Sequence, residues 1–100
     1  MRIRYLAVAR EEVREAADYY AAISPDLGTA FKRELRQLMR LVATMPTAWP
    51  LSGPDTRKCL LTRFPYLVIY APLLGGLLVL AVGHQHRTPG YWRERLAALK

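Results

Sequence analysis

The chain has 100 residues, 52% of them hydrophobic and 23% charged, with fifteen Lys and Arg against eight Asp and Glu. That length leaves room for one domain with a modest core, and that balance excludes an intrinsically disordered polymer. The formal charge of +7 favours acidic protein partners or polyanions without choosing between them. Most of the excess lies in residues 51–100, where seven basic residues meet two acidic ones, against eight and six in residues 1–50. Cys59 is the single cysteine, so an internal disulfide is excluded and a reducing cytoplasm is the expected compartment. Its apolar neighbours predict a buried, inert thiol. The opening MRIRYLAVAREEV lacks the apolar core of a signal peptide.

Ile3 to Val8 is too short for a helix and predicts a first strand. A helix is expected from about Arg10, with Glu11 and Glu12 in its first turn complementing the positive helix end. Val13, Ala16, Ala17, Tyr20 and Ile23 recur at helical spacing as one apolar stripe, and Arg14 and Asp18 form an outer pair four residues apart. Ser24-Pro25 ends that helix and starts the next, with Ser24 as cap. The second helix spans about Asp26 to Thr44, with Phe31, Leu35, Leu38, Val42 and Met45 as the seam of a helical hairpin. Lys32, Arg36 and Arg40 fall on a separate line. PTAWPLSGPD, Pro46 to Asp55, is a turn-rich connection in which Trp49 reads as a loop plug.

Three strands follow: Lys58 to Phe64, Tyr66 to Ala71, and Leu77 to Gly83, the last apolar on both faces and so expected to be covered on both. The run Tyr66 to Gly83 carries no charge and approaches the length of a membrane span. Pro72 and Gly75-Gly76 in its middle favour a hairpin, with Pro72 to Gly76 as its loop. Thr88-Pro89 predicts the cap and first residue of a closing helix to about Leu99. Helices in one run and strands in another predict an α+β fold.

The segments EEVREAADYYA, PDLGTAF, TMPTAWP, LLTRFPYLVIY and LAVGHQHRTPGYWRER, taken in that order, resemble the RelE/ParE superfamily, the toxins of type II toxin–antitoxin modules. The resemblance runs from about Ile3 to Leu96 and is closer to ParE than to RelE. Its most specific part is an apolar strand followed by His84-x-x-Arg87-x-Pro89-x-Tyr91-Trp92. It implies strand 1, a helical hairpin, three antiparallel strands and a short C-terminal helix packed on one sheet. It also implies a cytoplasmic protein without a cofactor, a role in plasmid stabilization, and a cognate antitoxin. The antitoxin's extended or helical tail would cover apolar and basic surface in a hetero-oligomer.

Two working modes come with the resemblance. RelE-like members cut messenger RNA on the ribosome. In them Lys and Arg line the second and third strands, and an arginine and a tyrosine follow the last strand. Arg87 and Tyr91 match the final pair, but Cys59 to Thr62 and Leu67 stand where cations are needed to hold a phosphate. Arg57, Lys58 and Arg63 flank the gap. If the chain is a nuclease, its catalytic set is His84, His86, Arg87, Tyr91 and Arg63, the histidines serving as base and acid. ParE-like members instead bind and poison DNA gyrase, and this chain departs from that pattern less. Here Arg87, Tyr91, Trp92, Arg93 and Arg95 form an aromatic and arginine docking surface, joined by Arg57, Lys58, Arg36 and Arg40 for target or antitoxin.

DNA gyrase is therefore the expected target, with ribosomal or free messenger RNA as the alternative. A small basic nucleic-acid-binding module is a third reading. Plainer roles compete at several positions. Trp92 packs the last helix onto the sheet, the Lys32–Arg36–Arg40 row is a solvated helix face, and the histidines bond the sheet edge. His84 and His86 lack a third ligand at metal spacing, and no metal is expected.

Overall fold

The structure, a computed structural model, describes residues 2–97. Strand β1 covers Arg2–Tyr5, shorter than expected, because helix α1 already starts at Ala7 and runs to Ile23. Ala7 and Ala9 favour helix intrinsically, and the Arg10 N–H bonds the Leu6 carbonyl. The early start carries Glu11 and Glu12 past the first turn, so neither serves the helix end as the sequence suggested. Of the predicted stripe, Ala16 and Ala17 are buried, Val13 and Tyr20 half-buried, and Ile23 exposed. Arg14 pairs with Asp18 at 3.2 Å and with Glu11.

Helix α2 spans Pro25–Thr44. Ser24 occupies its N-cap position and Pro25 its first turn, but the Ser24 hydroxyl makes no capping bond; its N–H closes α1 on the Tyr20 carbonyl instead. Phe31, Leu35 and Val42 are buried as expected, while Met45 is exposed and Met39 takes a core place. The two helices meet closely at Gly28. A Cβ there would lie 2.7 Å from the Ala21 Cβ and 2.9 Å from the Ala17 carbonyl oxygen.

Four strands form one sheet in the order β1-β4-β3-β2, with β2 at Arg57–Leu60, β3 at Tyr66–Leu73 and β4 at Gly76–His84. β2, β3 and β4 run antiparallel, whereas β1 lies parallel to β4. The sheet is thus mixed, with the helical hairpin carrying the chain away from β1 before it returns. β2 stops four residues short of the expected Phe64. The backbone N–H groups of Thr62 and Arg63 donate to the Glu34 carboxylate on α2 and leave the ladder. Phe64 then joins Tyr20, Phe31 and Tyr66 in an aromatic cluster with centroids 4.7–6.1 Å apart.

The uncharged run folds as the β3–β4 hairpin. Its loop is tighter than predicted, turning at Leu74-Gly75 with Gly75 at φ 77°, a conformation glycine adopts without steric cost. β4 is buried on both sides, as expected. Leu77, Val79 and Val82 join the core under the helices, while Leu80 and Ala81 pack with Ile69, Ala71 and Trp92 on the opposite face. Two consecutive β4 residues share that face because the ladder slips there. Ile69 pairs with Ala81 but Tyr70 with Val79, so Leu80 is an extra, bulged residue. The closing helix shrinks to α3, Arg93–Ala97. Pro89 to Trp92 form turns around Gly90 at φ 83°, and the expected end at residues 98–99 lies outside the described residues. No helix among the described residues is long and apolar enough to cross a membrane.

The Gly28 contact gives a direct test of the helical hairpin. Gly28→Ala should lower the urea midpoint, destabilising by about 1–3 kcal/mol through overpacking. The opposite sign, the usual benefit of alanine in a helix, would show that α1 and α2 separate easily.

Candidate functional site

The C-terminal edge is built on a length mismatch. β1 ends opposite Val79, whose carbonyl takes the Leu6 N–H at 3.0 Å, while β4 runs on to His84. The side of β4 left bare would carry unpaired backbone groups, which are costly where water is excluded. Side chains supply the missing strand. The bulged Leu80 carbonyl accepts from Arg95 Nη1 at 3.0 Å, and the Val82 N–H donates to Glu12 Oε1 at 3.1 Å. Glu12 then binds both arginines. Its Oε1 accepts from Arg95 Nη1 at 2.8 Å, and its Oε2 accepts from Arg87 Nη1 at 2.7 Å and Arg95 Nη2 at 3.1 Å. The Glu12 side chain is 11% exposed, Arg95 15% and Arg87 47%. Bonding to Glu12 raises the Arg95 pKa above its ordinary value against the opposing effect of burial. Arg87 keeps an open side and Arg95 does not.

Tyr91 fills the space between the guanidiniums, its ring centroid 3.9 Å from the Arg87 carbon and 5.1 Å from that of Arg95. Cation–π attraction complements the carboxylate at that junction. The Tyr91 hydroxyl presses on Gly83, where a Cβ would collide with it, and it is buried without a hydrogen-bond partner. Burial is the main cause raising its pKa, helped by Glu12 and opposed by Arg87 and Arg95. Trp92 is buried on Ile69, Ala71, Leu80 and Ala81, which makes it a packing residue. Arg93 is exposed.

His84 and His86 lie on the solvent side with ring centroids 5.2 Å apart. The His86 N–H donates to His84 Nδ1 at 3.2 Å. Beside them a hollow of about 190 Å³ takes Tyr66, His84 and Arg87 into its wall together with Glu12 and Glu15. The other cations named from the sequence are elsewhere. Arg57 pairs with Tyr70 while His84 pairs with Tyr66, a separation of roughly 13 Å along β3, and its Nη1 donates to the Trp49 carbonyl at 2.8 Å. Lys58 sits opposite Ile69, a residue of the sheet face away from the helices. Arg63 borders a different cavity with Arg33 and Glu34. Cys59 on the edge strand β2 and Leu61 just after it are buried, and Leu67 on β3 is half-buried, so apolar side chains stand where a phosphate would need charge.

A second surface lies between β1 and α2. Ile3, Tyr5, Leu35 and Met39 line a groove of about 380 Å³, rimmed by Lys32, Arg36 and Arg40. The outer edge of β1 runs along it. Arg2 and Leu6 direct their N–H groups to β4, so strand alternation turns the backbone groups of Ile3 and Tyr5 outward. No described strand pairs with that edge. The sequence showed the cationic row but not the groove, which exists only because β1 and α2 become neighbours.

Two expectations follow. Glu12→Ala should destabilise the fold by about 3–5 kcal/mol by leaving the nearly buried Arg95 without its carboxylate, measured as a fall in denaturant midpoint. Burial pushes the Cys59 thiol from 9.0 up to about 12. Its neutral form is therefore favoured in the folded chain, and the associated stability is complete below pH 9 and lost as pH rises towards 12. Cys59→Ala should flatten that alkaline decline in urea midpoints, and the native thiol should resist disulfide reagents until the protein unfolds.

The family described as the ParE toxin of the type II toxin–antitoxin system parDE matches residues 3–89. Among solved structures, a chain of the chromosomal ParDE toxin–antitoxin system from P. aeruginosa superposes with a TM-score of 0.73 at 15% identity, covering 84% of this chain and 95% of that one. At that identity the likeness speaks for the fold. No curated protein matches the sequence. With the family's pattern spread across β1, the helical hairpin, the sheet and the His84–Arg87 turn, the chain belongs to the ParE toxin family of type II toxin–antitoxin systems.

Proposed function

We propose that the chain stops growth by docking onto DNA gyrase in the cytoplasm and that a cognate antitoxin holds it inactive. The dispersal of the cations carries the docking reading. Arg57 and Lys58 on β2, Arg63 beyond that strand and Arg87 beyond β4 stand at different places, and the hollow at His84 contains two carboxylates. Stabilising the transition state of RNA cleavage needs positive charge gathered around one phosphate, and here it is scattered. What remains at the edge suits contact between proteins. Arg87 is held rigid by Glu12 with its outer side open, backed by Tyr91, and flanked by the exposed His84, His86 and Arg93.

The antitoxin reading draws on family membership and on the groove behind β1. An apolar trough with Arg36 and Arg40 on its rim fits an acidic tail bearing regularly spaced apolar residues. Burying that tail would also cover the free edge of β1, a strand edge that a folded protein normally protects.

Purified protein added to gyrase supercoiling and cleavage assays should inhibit the enzyme. Translating ribosomes given the same protein should show no new messenger ends. Fresh message ends that vanish on Arg87→Ala or His84→Ala would replace docking by catalysis. Arg36→Glu combined with Arg40→Glu should weaken antitoxin binding at least about tenfold, roughly 1.4 kcal/mol, in titration calorimetry. Unchanged affinity would move the antitoxin off the groove.

A further inference from the structure

We infer that Glu12, supported by Glu15, is a specificity-determining residue that keeps nucleic-acid phosphates out of the C-terminal edge and so reserves that edge for protein. The inference rests on the docking reading above. Without Glu12, Arg87 and Arg95 would stand side by side on one tyrosine ring with both charges uncompensated. Two such guanidiniums, an aromatic and a nearby histidine are what a single-stranded backbone and its bases bind. The chain's +7 charge would bring a polyanion there from a distance.

Geometry stops this in two ways. Glu12 engages the Nη1 of Arg87 and both terminal nitrogens of Arg95, so a phosphate would find only the outer side of Arg87 unengaged. It also borders, with Glu15, the hollow that opens beside His84 and Arg87. A phosphate entering that hollow would meet two carboxylates, and like charges repel. A neutral or apolar protein surface meets no such penalty and still finds the open side of Arg87. Glu12 therefore serves twice, completing the sheet edge and selecting the class of partner.

The test uses the full-length protein and fluorescein-labelled oligouridylate, read by anisotropy over a salt series. Glu12→Gln keeps a carbonyl for the Val82 N–H and removes the charge. It should bind RNA about tenfold more tightly at low salt, with a log–log salt slope steeper by about 0.7–1.4 for one or two added phosphate contacts. Adding Arg87→Ala to that variant should abolish the gain, whereas Arg87→Ala alone should lower the weak binding of the native protein by far less than that gain. Should Glu12→Gln fail to fold, the exposed Glu15→Lys still reports on the hollow and should tighten binding several-fold through Arg87. A folded Glu12→Gln or Glu15→Lys without gain overturns the inference, as does native RNA binding that falls as far on Arg87→Ala alone. Gyrase inhibition by the native protein, measured separately, tells failure of the docking reading apart from failure of this one.

Discussion

A single carboxylate ties the helical hairpin, the sheet and the C-terminal segment together at one edge of this fold. β4 outruns β1, and the chain must satisfy backbone groups on a strand edge that has no neighbouring strand. Glu12 from α1 and Arg95 from α3 replace that neighbour, and their bond to each other draws Arg87 and Tyr91 into the same cluster. The helical hairpin, the sheet and the C-terminal segment are joined here by charge, where elsewhere they are joined by apolar packing. Such a buried group tolerates loss of one member poorly, because the remaining charges have nowhere to go.

The same junction settles what the surface can present. Of the arginines that follow the last strand, Arg95 is consumed internally, Arg87 is half offered and Arg93 stands in solvent. Trp92 is spent on the sheet. A basic chain therefore shows a tempered C-terminal edge, while its less guarded positive charge lies along α2 above an apolar trough. Two contact regions of different character result, one rigid and nearly neutral, the other greasy and cationic.

Much of this was legible in the sequence. Helical spacing from Val13 and from Phe31 located both helices, Gly75-Gly76 located the hairpin, and the unbroken apolar run from Leu77 foretold a strand covered on both faces. Local signals sufficed because each element is short and regular. The packing role of Trp92 was legible; the roles of Arg87 and Arg95 were not. They depend on a partner seventy-five or more residues away, Glu12, which in the sequence looks like any acidic residue near a helix start. The parallel pairing of β1 was equally hidden, because a four-residue strand carries no mark of its direction. A helix expected from Pro89 gave way to turns because Gly90 adopts a positive φ that lets Tyr91 fold back over Gly83.

The slip at Leu80 has a consequence for how this sequence can change over time. One additional residue shifts the phase of everything downstream, so that Val82 and His84 continue the helix-side alternation and Leu80 with Ala81 both meet Trp92. Exchanges of one apolar side chain for another here alter only volume. Loss or gain of a single codon would instead turn His84 to the far side of the sheet and part Val82 from Glu12. The lineage can drift in its letters at this strand but is locked in its count.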